Sequence, residues 1–151
     1  MYAQFTDPDT LGNAYRWFAK RINVRPEWDP LAGQVKDADF VAPLGSVTDD
    51  AFFNGLSFEF SAFRGAAAGS TAWDDDFGTS SEAGYFKVGD TVAVRMCSID
   101  EHVFQAIRSY ENLILSQGSP FAPPANMITN VEGGIGLWAG YGIWQDTVIC
   151  Q

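Results

Sequence analysis

The chain has 151 residues, of which 46% are hydrophobic and 19% charged, the balance of one globular domain with a sizeable core and not of a disordered segment. Nine Lys and Arg stand against 19 Asp and Glu, a net charge of −10, which argues against recognition of nucleic acid or of an anionic lipid surface, because both need basic patches. No apolar run approaches the roughly 20 residues that a transmembrane helix requires, and Met1 leads directly into the polar residues Gln4, Thr6 and Asp7 without the pattern of a signal peptide.

In chain order, Asp7-Pro8-Asp9 and Gly12-Asn13 are turn signals. Residues 14–24, AYRWFAKRINV, are rich in aromatic and β-branched side chains and predict a long strand. Its alternation puts Tyr15, Trp17 and Ala19 on one face and Arg16, Phe18 and Lys20 on the other. Residues 25–46 carry Pro26, Pro30, Gly33, Pro43 and Gly45 and read as loop, with one short strand near Phe40 and Val41. Asn54-Gly55 between apolar segments signals a hairpin, followed by a strand over 56–63 with Phe58, Phe60 and Ala62 on one side and Ser57, Glu59 and Ser61 on the other.

Residues 65–84 form a long small-and-acidic stretch that holds Asp74, Asp75 and Asp76 between Trp73 and Phe77. Loops of this length in a compact domain are often functional. After a turn at Gly89-Asp90, residues 91–97 predict a strand with Val92, Val94 and Met96 on one face. Ser98 opens one helix, near residues 99–117. Ser98 and Glu101 have capping-box spacing, Val103, Ile107, Tyr110 and Ile114 form its apolar stripe, and Gly118 supplies a stop. Residues 119–126, SPFAPPAN, are a Pro-rich loop. Residues 133–150 predict a last strand or hairpin, in which Trp138, Gly140, Gly142 and Trp144 alternate with Leu137, Ala139, Tyr141 and Ile143. Its glycines leave room for ring packing or for close approach of another sheet. The order β, β, β, α, β predicts a single, mainly β domain, a β-sandwich or open barrel with one covering α-helix.

Chemistry-bearing residues are sparse. His102 is the only histidine and falls in the first helical turn; with no GxSxG and no reactive-thiol motif near Cys97 it reads as a surface or half-buried side chain. Cys97 and Cys150 lack zinc spacing. They are either two buried thiols or a disulfide closing a ~50-residue loop and adding ~4 kcal/mol. Asp49, Asp50, Glu59, Asp74, Asp75, Asp76, Glu82 and Glu132 offer carboxylates for glycoside hydrolysis, but no spacing selects a pair. The run Asp74 to Asp76 lacks the EF-hand pattern and reads as a solvated charge run, and the glycine stretches match no nucleotide motif. No cofactor and no metal is expected. Trp138, Tyr141 and Trp144 are either core rings or a platform on which a sugar ring can stack.

Four segments, DPDTLGNAYRWF, DDAFFNG, FKVGDTVAVRMCSIDEHVF and SPFAPPANMITNVEGGIGLWAGYG, run in this order over residues 7–142. Together they resemble the C-terminal part of the Bacteroidota envelope lipoproteins classed as domain of unknown function 4249. The resemblance implies the C-terminal part of a longer exported lipoprotein, anchored at the outer membrane or held in the periplasm beside a TonB-dependent receptor. It implies no catalytic role for Asp50, Asn54, Asp90 or Asn130. The expectation is therefore a non-catalytic binding or accessory domain of nutrient uptake, with the receptor or a glycan as partner. Its candidate ligand-binding residues are Trp73, Asp74, Asp75, Asp76, Phe77, Trp138, Tyr141 and Trp144. The alternatives are a structural domain that holds a partner protein through Trp138, Tyr141 or Trp144, and a carboxylate-based glycoside hydrolase.

Overall fold

The computed structural model describes residues 2–22, 37, 39–64, 86, 88–116 and 127–151. Their strands are β1 (Tyr2–Thr6), β2 (Ala14–Arg21), β3 (Val47–Asp49), β4 (Ser57–Ser61), β5 (Thr91–Ile99) and β6 (Gly142–Ile149), with the helix α1 (Glu101–Ser116) between β5 and β6. The architecture is mainly β and sandwich-like, with two sheets and one helix, as the element order predicts. An antiparallel sheet β3-β2-β5-β6 carries the antiparallel pair β1-β4 across one of its faces.

Strand alternation decides what each face does. Trp17 pairs with Met96 and Ala19 with Val94, so Tyr15, Trp17 and Ala19 share a face with Val92, Val94 and Met96. Phe5 of β1 and Phe58 and Phe60 of β4 close on that face, together with Phe53, Ala62, Phe63 and Cys150. The rings interlock: Trp17 lies 5.6 Å from Phe60 and 5.3 Å, edge-on, from Phe63, Phe5 meets Tyr15 edge-on at 4.9 Å, and Phe53 stacks on Phe58 at 3.9 Å. Edge-on and offset pairs add about 0.5–1.5 kcal/mol each beyond the area they bury.

On the opposite face, α1 covers only the end where β2 begins. Val103, Phe104 and Ile107 pack on Ala14, Val47 and Ile99, flanked by Leu137 and Ala139. The helix is capped two residues later than Ser98 would set it. β5 continues to Ile99, Ser98 is a ladder residue opposite Tyr15, and Asp100 instead accepts the His102 N–H at 2.8 Å through Oδ1. The apolar stripe is correspondingly rotated. Phe104 and Glu111 are buried, while Tyr110, expected on the stripe, is 47% exposed. Glu111 is satisfied there by the Gly45 N–H at 3.0 Å. Gly118 lies outside the described residues.

Three other expectations are corrected. Asn54-Gly55 does not close a hairpin: β3 and β4 on either side of it belong to different sheets. Gly55 still needs its glycine, with φ at +71° and its N–H donated to Asp7 Oδ2 at 3.0 Å. The strand expected over 14–24 ends at Arg21, and near Phe40 and Val41 there is only an isolated bridge from Val41 to Ala19. The disulfide alternative fails on topology. Cys97 lies opposite Ile143 near the C-terminal end of β5, whereas Cys150 follows the far end of β6, so about 3.4 Å per residue over seven residues separates them along the sheet. Both thiols are free and buried.

Buried acids are committed to holding the fold. Asp7 accepts the Tyr15 hydroxyl as well as the Gly55 N–H. Asp50 accepts the N–H groups of Gly12 and Asn13, both at 2.9 Å. Arg21 and Asp90 form a fully buried ion pair at 3.5 Å, of the kind whose loss of one partner costs about 3–5 kcal/mol.

Candidate functional site

Where α1 stops, the described residues leave the second face of the main sheet open. A cleft of about 540 Å³ lies there, lined by Phe18 and Lys20 of β2, Arg95 and Cys97 of β5, Asp39, Phe40, Tyr141 and Ile143, a volume within the usual range of ligand sites. Its lining follows from register. Arg16 pairs with Cys97 and Phe18 with Arg95, while Arg95 pairs with Gln145 and Cys97 with Ile143, so the same alternation that sends Trp17 into the core sends these side chains into the cleft.

Cations and rings are interleaved across it. The Arg95 guanidinium lies 3.6 Å from the centre of the Phe40 ring and its Nε donates to Gln145 Oε1 at 2.7 Å. Lys20 Nζ lies 5.7 Å from the same ring. Arg16 stands over Phe18 at 5.1 Å and donates through Nη1 to the Tyr141 hydroxyl at 3.3 Å, and Phe18 meets Tyr141 edge-on at 6.0 Å. Cation–ring contacts hold cations and rings in fixed relative orientation. Three of the chain's nine Lys and Arg, namely Arg16, Lys20 and Arg95, therefore share one face of a protein with net charge −10. Among the cleft's lining residues, Asp39 carries an opposing charge. The thiol on the floor reports both burial and this field: burial pushes the Cys97 pKa up, and the Arg95 and Arg16 guanidiniums pull it partway back.

The candidates taken from the sequence separate in space. Tyr141 belongs to the cleft. Trp144 faces the other side of the sheet, 6.4 Å from Phe5, and lines a groove of about 340 Å³ with Tyr2, Phe5, Phe60, Val94, Met96 and Val148. Trp138 stands apart, 76% exposed, its backbone N–H and C=O both held by the Asn130 side chain at 2.8 and 2.7 Å. They are neither one platform nor core. Trp73, Asp74, Asp75, Asp76 and Phe77 lie outside the described residues. Of the acids considered for hydrolysis, Asp50 is buried and committed to the Gly12-Asn13 turn, while Glu59 and Glu132 are exposed. Among the described residues no group of three His, Cys, Asp or Glu is placed to hold a metal ion, and no helix is long and apolar enough to cross a membrane.

The residues that sequence reading passed over are Phe18, Lys20, Phe40 and Arg95. The signal was present in the polar face of 14–24, where a Phe sits between Arg and Lys. Arg95 and Phe40 needed the register. No family model matches the chain, and no match to it is found among curated proteins or among solved structures.

Proposed function

We propose that this domain is a binding module without chemistry of its own, and that its site is the cation-and-ring cleft on the open face of the main sheet. The ligand class is an acidic sugar within a glycan. Phe18, Phe40 and Tyr141 offer flat apolar faces for a pyranose ring, and Arg95 offers donors to its carboxylate. One observation carries the reading: Arg95 and Lys20 line a cleft of about 540 Å³ together with Phe18, Phe40 and Tyr141, and Arg16 stands beside it over Phe18, on a strongly acidic protein. The sequence resemblance supports an exported setting at the outer membrane or in the periplasm, as an accessory of TonB-dependent nutrient uptake.

The test is titration calorimetry of the full chain with uronate-containing and neutral oligosaccharides. Binding of the acidic series is expected, weakening with added salt. Arg95→Gln should lower it about tenfold or more, the value of one charged hydrogen bond. Neutral oligosaccharides that bind wild type and Arg95→Gln equally well, or an acidic series that does not bind at all, would remove the proposal.

A further inference from the structure

β6 ends the main sheet, and among the described residues no strand pairs with its outer edge. The ladder fixes which backbone groups face that edge. Ile22 N–H donates to Thr91 O toward β2, and Cys150 N–H donates to Asp90 O toward β5. In an antiparallel ladder these alternate, so Trp144, Asp146 and Val148 spend their backbone bonds on β5. The N–H and C=O groups of Ile143, Gln145, Thr147 and Ile149 point outward. Thr147 shows it directly, because its N–H is taken at 2.7 Å by the Asp146 carboxylate next to it in sequence.

This edge is apolar and thinly guarded. Ile143 is 56%, Trp144 54% and Ile149 61% exposed. Natural edge strands block further pairing with Lys, Pro or a bulge, and GIWQDTVI has neither Lys nor Pro and pairs with β5 without interruption. Asp146 is its one charge.

We propose that β6 pairs antiparallel with β6 of a second copy of this chain, about a two-fold axis passing through Asp146. The strand is self-complementary in this register. Ile143 lies opposite Ile149 of the copy, Trp144 opposite Val148, Gln145 opposite Thr147, and all four outward backbone positions of each strand find partners. A slip of one residue would set opposite faces against each other. A slip of two would place Asp146 against Trp144 or Val148 and strand one of the two isoleucines. The occupant is a second copy because the strand matches its own reverse, apolar position to apolar position. Its one mismatch is Asp146 against Asp146, two like charges directly opposed, which keeps the wild-type pairing weak. The inference rests on the edge strand and needs no ligand in the cleft, with which it shares only Ile143.

Sedimentation velocity over micromolar to millimolar concentration, with circular dichroism to confirm folding, tests it. Asp146→Asn should tighten the dimer by about fivefold or more. Asp146→Lys should dimerise no better than wild type, yet an equimolar mixture of wild type and Asp146→Lys, one of them fluorescently labelled, should form a heterodimer tighter than either homodimer. Thr147→Pro, which deletes an outward N–H and leaves the bonds to β5 intact, should abolish association in the Asp146→Asn background. If Asp146→Asn stays as monomeric as wild type, if the mixture shows no preference for the mixed pair, or if Thr147→Pro leaves association unchanged, self-pairing of β6 in this register is wrong.

Discussion

The two faces of β2 belong to one strand and have opposite fates. Tyr15, Trp17 and Ala19 are sealed under β1 and β4 at no more than 5% exposure, while Arg16, Phe18 and Lys20 stay half-buried on the other face, where Phe18 and Lys20 line the cleft. Aromatic rings occur on both faces. The difference lies in what surrounds them: other rings on the covered face, guanidinium and ammonium groups on the open one. A ring packed by rings holds the fold, whereas a ring packed by cations is arranged for a visitor. Truncation on each face is the sharpest way to break this comparison. Trp17→Ala should cost about 3–5 kcal/mol by urea denaturation, and Phe18→Ala about 1 kcal/mol, as for sites away from the core. Equal losses would mean that the open face is part of the core.

The covered face also holds a proton. Tyr15 donates its hydroxyl to Asp7, and burial, then the hydrogen bond to Asp7 and the charges of Asp7 and Asp50, push its pKa far above the ordinary value of 10.0. The folded state therefore retains the neutral phenol where the unfolded chain would ionise. Stability from this group is complete below about pH 10 and falls above it, at up to ~1.4 kcal/mol per pH unit, until the folded-state pKa is reached. Urea midpoints measured on either side of this pH should show that fall. Tyr15→Phe should be less stable at neutral pH and show a shallower alkaline decline. An unchanged slope would mean that another group governs it.

The covered face was the legible part of this molecule. Alternation over 14–24, 56–63 and 91–97 identified the inward side chains of three strands, because burial on one face imposes a period of two. β1 and β3 escaped notice for a physical reason: VTD is three residues long, and in YAQFT the apolar Tyr2 and Ala3 are adjacent, so neither shows a clean alternation that announces a face. The cap was misplaced because Ser98 and Asp100 both suit an N-cap, and only the length of β5 decides between them. The cleft was half legible. Tyr141 was singled out as a ring and Phe18 as facing away from Trp17, but joining them to Phe40 and Arg95 needs contacts across 22 or more residues of sequence, which no local pattern encodes. Gly142 was read as room for a neighbouring sheet, and its actual neighbour is its ladder partner Ser98, whose Oγ would lie 2.6 Å from any added Cβ.

The finest comparison is between the two thiols, one under each face. Cys97 floors the open cleft and Cys150 packs in the covered core. The Cys97 pKa is raised by burial and lowered by Arg95 and then Arg16. Removing the Arg95 charge takes away a cause that lowers it, so the pKa rises further and the thiolate fraction at fixed pH falls. Alkylation of Cys97 in Arg95→Met should therefore slow by about twofold at mildly alkaline pH, measured by mass spectrometry as a ratio to Cys150, which shares the global opening of the fold. Arg95→Lys keeps a charge beside the thiol and should react at close to the wild-type rate. A ratio that moves equally in Arg95→Met and Arg95→Lys would trace to packing around Phe40. A ratio that moves only when the charge is lost places a positive field at the floor of the cleft, where the carboxylate of an acidic sugar would meet it.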